Sequence, residues 1–423
     1  MPTAAKPKDA LDAVFAKAKQ KGLNVGSLNS VIEDQKFLTT GNIAIDNAFG
    51  GGIPMGRQLE FFGPTGCGKT TLVLQSCVAL QKIIKAGGDP SLGIRADDVI
   101  LYVDYEGTVD LRYAVALGFD PEHESFRITQ PDTLEEGADL IQNAVATGRV
   151  RLIVVDSVAA MVPSAQAEAE SVGKAQVAVT ARLLKTFGQN LNPLLRNNNA
   201  TILWINHETD VIGGFTRPGM APPTTTPGGK ALKYFATVRG QFRPIRNFKG
   251  EWTDPLTGEV KEIRSMTDVR LTVVKNKVGN AYREAILRVR FGRGFDAFWT
   301  ALQILLSAKK VVYGEGKYFF HNLEDQGGAP EWMDRMKSGT KRPYVSKGTD
   351  DRKLFKAADQ HPEWRQLLIE IANEIGIENI ALSEAAGLFA DDTDDDSDDD
   401  ETDIDELDDL LGKETDKPGR VKI

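Results

Sequence analysis

Apolar residues fall along this chain in short runs rather than long ones, and each run ends in a polar or charged residue. Leu59, Phe61 and Phe62, interrupted only by Glu60, lead into a glycine-rich segment. Val99–Val103 ends in Asp104 and Glu106, the segment RLIVVDS at 151–157 in Asp156, and TILWINH at 201–207 in Asn206 and His207. Runs of this length bounded by turn residues suit strands buried on both faces, as in a parallel sheet. Helical spacing appears between them. Leu11, Val14, Phe15 and Ala18 mark an amphipathic helix over Asp9 to Lys21. The stretch Thr71–Leu80 is compatible with a helix, as is Thr180 to about Leu195. Two later segments, 268–276 and 282–291, alternate partly with period two on either side of Gly279-Asn280 and predict strands. Gly50-Gly51-Gly52 and Pro54 predict a tight turn before the first core strand. Residues 162–178 read as a mobile loop, and 208–229, rich in Gly, Pro and Thr, as an irregular one. A structureless segment this long inside a compact domain is usually functional or disordered. The pattern predicts an α/β protein with a mostly parallel sheet.

Composition narrows the class. At 423 residues the chain has room for about two or three domains. No apolar run approaches the ~20 residues needed to span a bilayer, and the N-terminus lacks a signal-peptide core, so the expected location is the cytoplasm. The only cysteines, Cys67 and Cys77, exclude a disulfide framework or a cysteine-rich zinc site. The net charge of −9 resolves into +3 over residues 1–390, −14 over 391–411 and +2 over 412–423. A slightly basic body with an acidic tail can bind a polyanion while the tail competes for the same surface. The tail is expected to be disordered, because its charges repel and little of it is apolar. Residues 335–356 carry eight basic and two acidic residues, a second patch suited to nucleic acid or a solvated basic loop.

The chemistry concentrates in Gly63-Pro64-Thr65-Gly66-Cys67-Gly68-Lys69-Thr70, followed by Thr71. The segment fits the pattern G-x-x-x-x-G-K-[ST] between an apolar strand and a helix, the context of a phosphate-binding loop. Its glycines let backbone N–H groups converge on a polyphosphate, and the helix N-terminus adds partial positive charge. Lys69 can reach the β- and γ-phosphates of ATP, and the Thr70 hydroxyl can bind Mg²⁺. Asp156, after four apolar residues, fits the carboxylate that holds Mg²⁺ in such NTPases. Glu106 is a candidate general base to align water, and His207 a strand-end residue able to sense a γ-phosphate; a solvated strand end explains either equally well. Arg217, Lys230, Lys233 and the Gly228-Gly229 pair suit contact with a phosphate backbone.

Assembled, these pieces resemble the bacterial RecA family of recombinases over roughly residues 37–300. The resemblance rests on TTGNIAIDNAFGGGIPMGR, GPTGCGKTT, VDYEGTVDLRYAVALGFD, ITQPDT, LIVVDSVAAMVP, TARLLKTF, TTTPGGKALKYFATVR and VVKNKV. It implies a RecA-like P-loop NTPase core at 37–295 with two DNA-binding loops. An N-terminal polymerisation helix and linker at 1–36, a small α+β C-terminal domain at 296–390 and a disordered acidic tail at 391–423 complete the layout. By the same resemblance Glu106 is the catalytic glutamate, while Asp110 and Tyr113 line the adenine. Lys275 and Lys277 reach ATP bound in the neighbouring subunit, and Tyr234 relays nucleotide state across the interface. Val177 and Ile212 wedge between bases, and Arg182, Gly228 and Gly229 contact the DNA backbone. The implied activity is DNA-dependent ATP hydrolysis by a helical homo-oligomeric filament on single-stranded DNA, with pairing and strand exchange against double-stranded DNA. A single-strand-binding protein or a loader are further candidate partners. The chain departs from the family at His207, where a glutamine is usual, at Glu208 and Asp210, where basic residues are usual, and at Pro227. His207 is similar to phage-encoded members. The same core elements also fit a ring-forming DNA motor or a non-catalytic ATP-gated DNA-binding scaffold.

Overall fold

The computed structural model describes residues 7–20, 35–167, 177–210, 224–253, 257–308, 310–314, 317–319, 354, 358 and 362–387. Two compact units divide the chain, Met1–Phe37 and Leu38–Ile423. The first contributes helix α1, Pro7–Gln20, close to the predicted span, with Leu11, Val14 and Phe15 exposed. The acidic tail, the basic stretch around 335–356 apart from Leu354, and Ile212 and Arg217 lie outside the described residues.

The second unit is built on a nine-stranded sheet. Its strands are β1 Gln58–Gly63, β2 Val99–Asp104, β3 Phe126–Thr129, β4 Val150–Asp156, β5 Thr201–His207, β6 Val238–Thr253, β7 Val260–Asn276, β8 Glu284–Arg290 and β9 Gly294–Phe295. Their order is β9-β8-β7-β6-β1-β5-β4-β2-β3. The pairs from β6 through β1, β5, β4 and β2 to β3 are parallel, and β6–β7–β8–β9 is an antiparallel extension. The expected α/β class and mostly parallel sheet are therefore present. The short apolar runs form its centre: β1 and β4 are buried along their whole length.

Alternation along these strands divides the core into two layers. Phe61, Ile100, Tyr102, Val154 and Ile205 face helix α3, Lys69–Lys85, which contributes Leu72, Val73, Cys77 and Leu80. Val103, Ile153, Val155 and Trp204 face helices α5, Leu134–Ala146, and α6, Val177–Asn198. Helix α5 starts at a capping box in which Thr133 and Glu136 satisfy each other's backbone donors. Helix α6 turns Leu184, Phe187, Leu191 and Leu195 inward at helical spacing. It begins at Val177, three residues before the predicted start, and a short helix occupies Ser164–Ala167. The segment read as a loop at 162–178 is thus helical at both ends. The segment from 208 also carries order: Thr209–Asp210 pairs with Thr224–Thr225, which closes the second loop at its base. A third apolar cluster joins α7, Ala297–Ser307, to α8, Pro362–Gly387, and reaches Ile43 of helix α2, Ile43–Phe49. Among the described residues no helix is long and apolar enough to cross a membrane.

Candidate active site and nucleic-acid interface

Strands β1, β2, β4 and β5 run parallel and side by side, so their C-terminal ends bring the strand-end residues to one edge of the sheet. Gly63 ends β1, and the loop Pro64–Cys67 leads to Gly68, the N-cap of α3. Gly68 has φ +94°, and a Cβ there would meet Val289 and Phe295 at 3.0 and 3.1 Å, so both conformation and space require glycine. Thr65 and Gly66 are exposed, Cys67 is buried, Thr70 is half-buried and Thr71 is buried. The Lys69 ammonium donates to the carbonyl oxygens of Gly63 at 2.8 Å and Pro64 at 2.7 Å, which holds it over the loop. Burial pushes the Lys69 pKa down, against the upward pull of Asp156, Glu106 and Glu208 nearby.

Asp156, at the end of β4, accepts a 2.7 Å hydrogen bond from the Tyr102 hydroxyl. Burial, with Glu106 and Asp104 nearby, raises its pKa to about 6. A buried carboxylate with acidic neighbours suits a cation. Among the described residues no group of three or more His, Cys, Asp or Glu could hold a metal by itself. One carboxylate and one hydroxyl, Asp156 and Thr70, fit Mg²⁺, which keeps several waters and takes further oxygens from phosphates.

Two side chains reach Glu106. The Ser157 hydroxyl donates to its Oε1, and His207 Nε2 lies 3.2 Å from the same oxygen. Asp104 accepts the backbone N–H groups of Gly107 at 2.9 Å and Val109 at 3.2 Å and so shapes the turn that carries Glu106. In the sequence Asp104 stands out only as a strand-end acid, and nothing there marks Tyr102 and Ser157 as supports. The register β2–β4, which pairs Asp104 with Asp156, is what makes them neighbours.

Asp110 caps helix α4, Leu111–Ala116, by accepting from Tyr113 N. The Tyr113 and Thr71 hydroxyls are 2.7 Å apart. Asp110, Arg112, Tyr113, Ala116 and Gly292 line a cleft of about 370 Å³ beside the start of α3. Gly292, from the β8–β9 turn, carried no sequence signal, because it joins the cleft only through the antiparallel extension.

Lys275 and Lys277 do not converge on this edge. Lys275 pairs with Arg239 across β6–β7, and the Lys277 N–H bonds to Thr237, whose own N–H bonds to Gln58 at the start of β1. The phosphate loop leaves the far end of that strand, about 17 Å away at 3.3 Å per residue. The Lys275 ammonium donates to the carbonyls of Lys233 and Tyr234. Burial and then the charge of Lys277 lower its pKa to about 8. Tyr234 is 65% exposed.

Val177 opens α6, and Arg182 is exposed on it. Gly228 and Gly229, at φ +87° and +66°, press against that helix: a Cβ would stand 2.9 Å from Leu184 and 3.0 Å from Ala181, respectively. Glu208 is held by Gln241 at 2.8 Å and Arg243 at 2.7 Å.

The fold is an α/β core with the glycine loop, carboxylates and strand-end histidine on one sheet edge and Lys275 and Lys277 set away from it. Comparison with known proteins gives the family. The model of the RecA N-terminal domain matches residues 10–296. Protein RecA of Kineococcus radiotolerans is 33% identical over 301 residues, 70% of this chain and 78% of that protein. Protein RecA of Streptococcus pneumoniae is 31% identical over 317 residues, 74% and 75% of the two chains. The chain belongs to the RecA family and is a recombination protein of that family.

Proposed function

We propose that this protein is an ATP-dependent recombinase. It assembles as a filament on single-stranded DNA, hydrolyses ATP in response to DNA, and pairs and exchanges strands with a homologous duplex. The observation that carries this reading is the division of the site. Lys69, Asp156 and Glu106 meet at one edge of the sheet, whereas Lys277 stands level with Gln58 at the opposite end of β1 and Lys275, two strands from β1, level with Glu60. A chain with the two halves of a phosphate site on opposite sides completes it by head-to-tail assembly, which generates an open helix when the rotation does not close.

In the assembled site the roles follow from position. Lys69 exchanges its loop carbonyls for phosphate oxygens. Thr70 and Asp156 would hold Mg²⁺, which supplies charge neutralisation across the phosphates when bound. Glu106 orients and deprotonates the attacking water, with Ser157 fixing its carboxylate. His207, within reach of Glu106 and at the end of β5, senses the γ-phosphate. Tyr113 and Asp110 take the adenine in the cleft beside α3. Lys275 and Lys277 supply positive charge to the neighbour's ATP. Arg182, the Gly228–Gly229 junction, Val177 at the start of α6 and the loop carrying Ile212 engage DNA, mainly through phosphates, so affinity falls with salt.

The test is joint-molecule formation from a labelled single strand and a homologous supercoiled duplex with ATP and Mg²⁺. The expected product requires homology and is absent with Lys69→Ala. DNA-stimulated hydrolysis without product, by closed rings in electron micrographs of the ATP complex, would instead establish a DNA motor.

A further inference from the structure

The histidine at the end of β5 has a hydrogen-bonding balance that a glutamine there would not have. His207 is level with Gly63, the first residue of the phosphate loop, whose carbonyl oxygen holds the Lys69 ammonium. Its ring nitrogen Nε2 lies 3.2 Å from Glu106 Oε1. Among the described residues the other ring nitrogen, Nδ1, has no hydrogen-bond partner. The backbone beneath the ring is held. The His207 N–H donates to Asn206 Oδ1 at 2.9 Å, and the Asn206 amide donates to Glu60 Oε1 at 2.9 Å and to the carbonyl oxygen of Pro227 at 3.1 Å. Asn206 and Glu60 are both fully buried.

A neutral imidazole has one N–H and one lone pair, and an ionised carboxylate only accepts. Oε1 of Glu106 already accepts from the Ser157 hydroxyl, and a neutral His207 ring that donates to it leaves a lone pair at Nδ1. The oxygens of a γ-phosphate are acceptors as well. Two arrangements satisfy carboxylate, ring and phosphate together. Either the ring is an imidazolium that donates to both sides, or Glu106 is protonated, donates to Nε2, and Nδ1–H donates to the phosphate. Each holds one proton more than a neutral ring beside a carboxylate. A glutamine amide carries two N–H groups and needs no such proton. The charged groups around the ring are Glu106 and Asp104 at the end of β2, Asp156 on β4, Lys69 at the start of α3, and Glu208, which pairs with Arg243. Carboxylates outnumber cations there, which favours the extra proton.

We propose that His207 makes a proton a co-ligand of ATP: contact with the γ-phosphate draws one proton from solvent into the Glu106–His207 pair, and loss of that phosphate returns it. ADP draws none into the pair. The inference rests on the reading of this sheet edge as the ATP site. Because the bound state holds the additional proton, affinity for ATP rises as pH falls. Asp156 acts in the opposite sense, since it must lose a proton to meet Mg²⁺, and it does so around pH 6. Above that pH the two effects separate.

The test titrates full-length protein with ATPγS and with ADP at saturating Mg²⁺. Calorimetry between about pH 6.5 and 8.5, in buffers of different ionisation enthalpy, gives both affinity and protons taken up. Wild type is compared with His207→Gln and Glu106→Gln. In the second variant the new amide donates to Nε2 and frees the ring proton for the phosphate. The expected wild-type ratio of ATPγS to ADP affinity falls by up to about tenfold per pH unit, with up to about one proton taken up for ATPγS in excess of ADP. Both variants lose this component. Lys69 and Lys275, whose pKa values burial lowers, can add uptake of their own, and that share persists in both variants. Should His207→Gln fail to fold, Glu106→Gln carries the test. A wild-type ratio flat with pH, or a pH dependence that the variants keep unchanged, would overturn the inference. Joint-molecule formation is read separately. Its absence with the proton excess intact would overturn the recombinase reading alone, whereas a protein that binds no ATPγS would overturn both.

Discussion

Asp156 shows how a single residue is prepared for its role by what is withheld from it. One hydroxyl donor and two acidic neighbours leave its charge under-compensated, and burial lifts its pKa from 3.8 to about 6. Because the folded-state value is the higher one, the folded protein binds this proton more tightly than the unfolded chain. Stability without ligand therefore falls as pH rises from about 4 to 6. A dication needs the deprotonated form. The enhancement of ATP affinity by Mg²⁺ is thus expected to weaken below about pH 6, and Asp156→Asn to remove that inflexion. Calorimetric titrations with and without Mg²⁺ between about pH 5 and 8 check this, and a wild-type enhancement flat across the range would refute it. At this scale Lys69, Thr70 and Asp156 were legible because a contiguous string of residues defines them. Tyr102, Ser157 and Glu60 were not, since their relevance depends on which strand lies alongside.

Elements were legible where burial imposes a simple pattern. The runs at β2, β4 and β5 are apolar on both faces and stand out within a residue or so of their observed ends. Strand β6 escaped sequence reading because Gly240, Pro244 and a row of exposed residues break its alternation. Its ladder with β7 carries three register shifts. Only pairing reveals it as a strand. The foot of the second loop is another such case. Gly228→Ala would place a methyl group against Leu184 at a φ that L residues rarely adopt, and is expected to destabilise the protein by about 1–3 kcal/mol. Thermal unfolding measures this directly. An unchanged melting temperature would show that the junction shifts freely and that its glycines serve something other than packing.

For the molecule as a whole, the separation of Lys69 from Lys275 and Lys277 makes a prediction that one subunit cannot meet. Lys69→Ala and Lys275→Ala/Lys277→Ala should each abolish DNA-dependent hydrolysis. An equimolar mixture should recover about a quarter of wild-type activity, since about one head-to-tail interface in four unites two intact halves. The steady-state rate of the mixture decides it, and no recovery would mean that each chain completes its own site. The same scale separates what was written in the chain from what was not. The sequence by itself determined the class: an apolar strand, the glycine loop, Lys69-Thr70 and the strand-end acids are local patterns, and local patterns survive without knowledge of the fold. Only the tertiary structure decided that Glu106, Ser157 and His207 share one carboxylate oxygen, that Gly292 completes the cleft by Tyr113, and that Asn206 joins Glu60 to Pro227. Those relations span tens to hundreds of residues. They are set by strand order and register, which depend on the packing of the whole sheet.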